Sequence, residues 1–175
     1  GLARGRSASV GPGPAALAVY DETKEVAGSK PIFIHAGSFG PTAGIYVAAN
    51  RPVAGLVLQN PAPLRRLIHG YYGWWNLWIL AGPVASRVPD ELDSIANGAH
   101  CTAPAVFISA NDDSIIPANY HKLVINAYAG PKRVINMPGG HDSPLTHEAA
   151  VKLAEDMDWL WQGAGGKVRG ASKNP

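Results

Sequence analysis

Ser38 stands in the pentapeptide Ala36-Gly37-Ser38-Phe39-Gly40, between an apolar, strand-like run from Pro31 to His35 and an alanine-rich helical pattern. Small residues two before and two after a serine let a strand fold back sharply into a helix, which leaves the hydroxyl exposed above a sheet. Ala36 and Gly40 meet that requirement. Asp113 and His141 follow in chain order, each after a further strand-like run. A free serine is too weak a nucleophile near neutral pH, so it needs a base to take its proton and a third group to fix that base. Ser38, His141 and Asp113 supply those roles, and the chemistry they predict is acyl transfer.

The elements that must position them alternate. An opening loop over Gly1 to Pro14 leads to a helix over Ala15 to Ala27 that Gly28 stops. Strands are predicted at Pro31 to His35, Val53 to Gln59, Pro104 to Ala110 and Lys132 to Met137. Helices are predicted from Pro41 to Ala49, where the proline suits a first turn, from Pro117 to Ala129, and from Ser143-Pro144 onward. Asn60 to His100 has no strand signal and is rich in Pro, Gly and Trp, so it reads as short helices capping a pocket. Alternation of this kind predicts an α/β fold with a mostly parallel sheet and helices on both faces. Such sheets gather active sites at the carboxyl ends of their strands, and all three chemical residues fall at that edge. One domain over residues 1–162 is expected, with a cap over 61–100 and a flexible tail over 163–175.

Composition excludes several classes. The 175 residues are 46% hydrophobic with a formal charge of +2, and Lys and Arg are scattered, so no nucleic-acid surface is predicted. Cys101 is the sole cysteine, which rules out an intrachain disulfide and a paired-cysteine metal site, and its default reading is burial. His69, His100, His121 and His147 share no ligand spacing, so no metal and no cofactor are expected. The run from Trp74 to Ala85, broken by Asn76, Gly82 and Pro83, falls short of the roughly 20 apolar residues that span a bilayer. Nothing marks a compartment; the reading favours a soluble, cytoplasmic protein. Gly37, Gly40 and Gly44 do not make a dinucleotide fingerprint, and no phosphate loop is present.

The elbow, the stretch Asn111-Asp112-Asp113-Ser114-Ile115-Ile116-Pro117 and Gly139-Gly140-His141 resemble the second half of the alpha/beta-hydrolase superfamily. The likeness runs roughly from Gly1 to Trp161 and is nearest to depalmitoylase-like and monoacylglycerol-lipase-like serine hydrolases. It implies a partial alpha/beta-hydrolase fold with a helical cap insertion. The family's acid typically stands four residues before a proline, which selects Asp113 over Asp112, and His141 occupies the catalytic histidine position. Arg4-Gly5-Arg6-Ser7 with Gly11-Pro12 looks like the loop after the family's fourth strand, which would place the first four strands before Gly1. The loop after the third strand, source of one oxyanion amide, would go with them and leave Phe39 as the oxyanion donor. Ala36 departs from the first glycine of the usual Gly-x-Ser-x-Gly, and Pro41 from a glycine after Gly40. The implied activity is hydrolysis of small-molecule esters or thioesters; the alternative is a non-catalytic or incomplete alpha/beta-hydrolase-like scaffold.

Three further expectations follow. Leu64, Leu67, Ile68, Tyr71, Trp75, Trp78 and Ile79 recur at helical spacing in the cap, so one face is apolar. That face either packs on the sheet, the favoured reading, or serves as an acyl-binding wall or lipid-contacting lid, with Trp74, Trp75 and Trp78 as substrate-binding residues. His35 either lines the site or, as favoured, is a hydrogen-bonded core histidine. Finally, Pro31 to His35 would form an exposed apolar sheet edge, which invites a homodimer through that edge.

Overall fold

The structure is a computed structural model that describes residues 11–73 and 80–165. Its four strands, β1 (Phe33–Gly37), β2 (Gly55–Gln59), β3 (Ala105–Ala110) and β4 (Lys132–Met137), form one parallel sheet in the order β1-β2-β3-β4. Phe33 pairs opposite Gly55, Leu56 opposite Ala105 and Ala105 opposite Lys132, so the carboxyl ends of all four strands lie along one edge. The helices are α1 (Pro12–Ala27), α2 (Gly40–Asn50), α3 (Leu64–Arg66), α4 (Ala81–Ser86), α5 (Ser94–Gly98), α6 (Ala118–Ala127) and α7 (His147–Gly163). Six π-helical residues, Leu67–Tyr72, extend α3, and a 3-10 turn spans Asp90–Leu92.

Strand order equals chain order, and this fixes where the helices go. Right-handed crossovers that always step in one direction put every connecting helix on the same face. The alternating pattern of the strands records it. Leu56 and Leu58 of β2 and Phe107 of β3 pack with Ile45 of α2 and Val124 and Ile125 of α6, while Val57, Val106 and Ile108 face the other way, toward Ala149 and Leu160 of α7. β3 is buried at every position, as a central parallel strand must be. Fully burying side chains of this kind stabilises the fold by about 1.5 to 3 kcal/mol each.

Among the described residues α7 is the one helix on the second face. A helix is about 10 Å across and strands are about 4.8 Å apart, so one helix covers only two to three strands. α7 lies over β4, β3 and β2 and reaches β1 through Trp161, which stacks on Phe33, leaving the rest of that strand open. The result is an apolar groove of about 620 Å³ between β1 and α7, lined by Phe33, His35, Val57, Leu153, Met157 and Trp161 among others. This overturns the core reading of His35, which is exposed: among the described residues no helix covers it on that side. Among the described residues β1 is hydrogen-bonded to β2 alone.

Element boundaries depart from the sequence reading where local chemistry decides. β1 starts at Phe33, two residues later than Pro31, which has no N–H to offer a ladder, and it runs on through Ala36 and Gly37 of the elbow. α1 begins at Pro12, with its prolines in the first turn, earlier than Ala15. The last helix starts at His147 rather than Ser143, because the Thr146 hydroxyl accepts the Ala149 N–H and caps it there. The tail expected from Gly163 falls almost wholly outside the described residues, as α7 itself reaches Gly163.

The cap region is held by polar latches. Arg65 donates to the Val88 carbonyl, to Asp90 and to Asp93, and the Asp93 carboxylate caps α5 through the Ile95 and Ala96 amides. Leu67 packs with Ala62 and Ile116, so the first turns of the cap's apolar face lie on the loop after β3 rather than on the sheet. Trp74, Trp75 and Trp78 lie outside the described residues. No helix among the described residues is long and apolar enough to cross a membrane.

Cys101 is fully buried between α2 and α5, its thiol directed at the Ile45 and Asn97 carbonyls, and burial pushes it up to about 11. A thiol held that far above neutrality carries almost no thiolate. Iodoacetamide at neutral pH is therefore expected to leave the native protein unmodified and to alkylate it once in denaturant; rapid modification of the native chain would contradict this packing.

Candidate active site

The elbow is built as its residue sizes require. Ser38 has φ 60°, in the left-handed region, and its N–H donates to the Gln59 carbonyl at the end of β2. A non-glycine residue held there stores about 1 to 3 kcal/mol of strain, which the sheet on one side and α2 on the other must balance. A Cβ on Gly40 would lie 3.2 Å from the Ala36 Cβ, so Ala36 fits because Gly40 has no side chain. Thr42 closes the first turn of α2 by donating both its N–H and its hydroxyl to the Phe39 carbonyl.

At the end of β3 the chain turns through Asp113, whose Oδ1 accepts the Ile115 and Ile116 amides at 2.9 and 2.8 Å. Those two bonds fix the carboxylate plane and leave Oδ2 free to face His141. At the end of β4, Gly139 has φ 105° and donates to Asp112, while Gly140 donates to the Ser143 hydroxyl. Asp112 therefore serves as a turn residue. Asp142 is exposed.

Ser38, Asp113 and His141, far apart in sequence, converge. His141 Nε2 is 2.8 Å from Ser38 Oγ, and His141 Nδ1 is 2.7 Å from Asp113 Oδ2. The acid is buried and the histidine side chain is only 10% exposed, so the pair sits in a poorly solvated place while the serine faces the surface. Gly37, Ser38, Gln59, Asn60, His141, Asp142 and Ser143 line a cleft of about 230 Å³ around the serine. The larger groove beside β1 holds no such convergence; its ionisable side chains are His35 and Asp158. The Phe39 N–H, at the head of α2, meets no acceptor among the described residues.

Two polar residues that matter here carry no sequence signal for their roles. Asn60, at the end of β2, is 1% exposed with φ 48°, a conformation asparagine tolerates better than most residues. Its side chain accepts the Ala110 N–H and donates to the His141 carbonyl, tying the histidine loop to β3. The pair Asn60-Pro61 after an apolar strand reads only as a turn, so its clamp role required the fold. Asn60→Ala would leave both groups unpaired, at about 1 to 3 kcal/mol for the buried amide alone. A fall in Tm of about 4 to 8 °C is expected; an unchanged Tm would show that the clamp carries no load. The second residue is His121 on α6, whose Nε2 lies 3.4 Å from Asp113 Oδ2.

A parallel sheet with crossover helices on one face, a strained serine after one strand, an acid after β3 and a histidine after β4 define the class: the chain has an α/β fold that corresponds to part of the alpha/beta-hydrolase fold. No protein-family model matches the chain. Two curated relatives, both uncharacterized proteins of Mycobacterium tuberculosis, are 31% identical to it over 118 residues, which is 66% of this chain and 40% of theirs. The chain thus spans well under two thirds of the length of the curated relatives it matches. Among solved structures, puromycin hydrolase superposes with a TM-score of 0.68 at 15% identity, over 89% of this chain and 25% of that one. The monoacylglycerol lipase of Paleococcus ferrophilus gives 0.61 at 16% identity, over 91% of this chain and 78% of that one. A cold-adapted esterase from an Arctic intertidal metagenomic library gives 0.61 at 16%, over 85% of this chain and 56% of that one.

Proposed function

We propose that the chain is a serine hydrolase that cleaves carboxylic esters or thioesters of apolar acyl groups. The observation that carries the reading is the continuous Ser38, His141, Asp113 hydrogen-bond series. Ser38 Oγ attacks the acyl carbonyl as His141 Nε2 takes its proton, and the carbonyl electron pair moves onto oxygen beside the Phe39 amide. Collapse expels the alcohol or thiol with the proton returned from His141, leaving an acyl-serine that water, activated by the same histidine, hydrolyses. Asp113 holds the imidazole with Nδ1–H toward it and stabilises the imidazolium. Ester chemistry is favoured because two of the structural neighbours are named a lipase and an esterase. An apolar acyl group is favoured by the cap: Tyr71 and Tyr72 donate to the Ser114 and Ile115 carbonyls next to the acid, and Ile115 and Tyr72 are exposed there. Trp74, Trp75 and Trp78 extend the same sequence and are proposed as the acyl wall, which would also make contact with lipid surfaces.

The test is a series of p-nitrophenyl esters from acetate to palmitate. Preference for longer chains, lost in a folded Trp74, Trp75, Trp78 triple alanine variant, supports the acyl wall; equal profiles for both proteins defeat it. A second reading, a scaffold that does not turn over, is favoured in so far as the Phe39 N–H, without an acceptor among the described residues, is the one oxyanion donor proposed at the elbow. Loss of one oxyanion donor lowers turnover about 100-fold to 1,000-fold. The edge of β1 is proposed as a homodimer contact, since an unpaired strand flanked by apolar surface templates another chain. A monodisperse monomer on light scattering would reject that contact.

A further inference from the structure

We infer that His121 is a positioning residue for Asp113, a neutral imidazole that carries its proton on Nε2 and holds the acid's Oδ2 toward His141. The inference deepens the serine-hydrolase reading and rests on it for its kinetic consequences, although the geometry stands apart from it.

His121, in the first turn of α6, is fully buried, as are its neighbours Ser109 and Asp113 to within a few per cent. Its Nδ1 is 2.8 Å from the Ser109 hydroxyl, on the α6 face of β3. Its Nε2 is 3.4 Å from Asp113 Oδ2, the oxygen that His141 Nδ1 also meets at 2.7 Å, and it has no partner at standard hydrogen-bond geometry. Five side chains thus lie in one row, Ser109, His121, Asp113, His141 and Ser38, hydrogen-bonded at each step except the 3.4 Å approach of His121 Nε2 to Asp113 Oδ2.

Electrostatics selects the proton's place. A neutral imidazole has one N–H. With the proton on Nδ1, the bare lone pair of Nε2 would face an anionic oxygen across dry space, which is repulsive. With the proton on Nε2, that N–H points its positive end at the carboxylate, and Nδ1 accepts from the Ser109 O–H. Every group then has a complementary neighbour. The doubly protonated form is disfavoured: burial pushes His121 down from 6.5, opposed by the Asp113 charge, reinforced by His141, and opposed by Asp113 hydrogen bonding and the Ile116 carbonyl. A neutral ring is also what the chemistry needs. A cation there would pair with Asp113 and withdraw its charge from the imidazolium that forms on His141, whereas an N–H dipole at 3.4 Å braces the carboxylate and leaves its charge in place. With Oδ1 anchored by two amides and Oδ2 shared by two imidazoles, the carboxylate cannot rotate without losing contacts on both sides.

The experiment combines tautomer assignment with substitution. Long-range nitrogen–proton correlation on histidine-labelled protein is expected to show His121 as the Nε2–H tautomer at neutral pH, in the parent chain and in Ser38→Ala alike. Ser109→Ala, which removes the donor to Nδ1, is expected to give a mixture of tautomers. In His121→Leu the His141 Nδ1–H resonance is expected to move, and in His121→Gln, whose amide N–H reaches the same place as Nε2–H, to stay near its parent position. Where esters are turned over, His121→Leu should lose about tenfold in kcat with KM unchanged, the low end for a hydrogen bond to a charged group, and His121→Gln should recover most of it. An Nδ1–H tautomer, or an unmoved His141 resonance in folded His121→Leu, overturns the inference. Equal losses in the Leu and Gln variants would also overturn it. If the parent chain turns over no ester and takes up no serine probe, the hydrolase reading fails and the two resonance measurements still decide the role of His121.

Discussion

Ser38→Ala, His141→Ala and the double variant are expected to fall to one common rate of ester hydrolysis, at least about 10⁴-fold below the parent chain. The reason is that the two side chains act in a single step. His141 Nε2 lies 2.8 Å from Ser38 Oγ, and every proton it moves, to the leaving group or from the deacylating water, belongs to the sequence that this hydroxyl starts. Once either is gone, the other has nothing to do, and groups that act as a unit are grossly non-additive on substitution. Independent contributions would instead multiply, and the double variant would be far slower than either single one. Initial-rate measurements on the three variants distinguish these cases directly. A double variant slower than both singles by the product of their effects would mean that the two residues do not share a step.

Asp113→Asn is expected to lower kcat about 10⁴-fold with little change in fold, the size of effect that loss of the acid has in a serine triad. Asparagine keeps the shape and keeps an oxygen for the Ile115 and Ile116 amides. That forces its NH₂ group into the place of Oδ2, facing His141 Nδ1. A donor now faces a nitrogen that carried a hydrogen, so the imidazole shifts its proton to Nε2 and can no longer accept from Ser38. The same NH₂ group also faces His121 Nε2, so the substitution disturbs both imidazoles. Rates and Tm measured together check this: a large fall in kcat in a protein of nearly parent stability is the expected result. A kcat within tenfold of the parent would show that Asp113 does not orient the base.

Much of this arrangement is legible in the sequence because each part depends on local rules. The sizes of Ala36 and Gly40 around Ser38 specify a sharp turn, and the fold returns Ser38 with φ 60°. Apolar runs bounded by Gly, Pro and Asn mark the four strands. Asp113 and His141 stand at strand ends, and in a parallel sheet all such ends share one edge. What remained hidden depends on partners distant in the chain. Asn60 looks like a turn residue until β3 and the His141 loop are placed on either side of it. His121 sits in an ordinary amphipathic helix, and only the approach of α6 to the loop after β3 sets it against the acid. His35 departs from its expected burial for a similar reason. Strand composition predicts burial, but among the described residues one helix covers the second face, and it meets β1 at Phe33, which stacks on Trp161, while His35 stays uncovered.

The one glycine-to-alanine departure in the elbow is also explained by geometry. With 3.2 Å between the Ala36 Cβ and the site of a Gly40 Cβ, the turn has room for one methyl group but not for two without movement. The departure is therefore compatible with a working elbow.

Fluorophosphonate labelling of the purified chain followed by peptide mass mapping shows whether Ser38 is an activated nucleophile. One adduct is expected, on the peptide containing Ser38, absent in Ser38→Ala and in His141→Ala. No adduct in a demonstrably folded sample, or an adduct on any other residue, would contradict it.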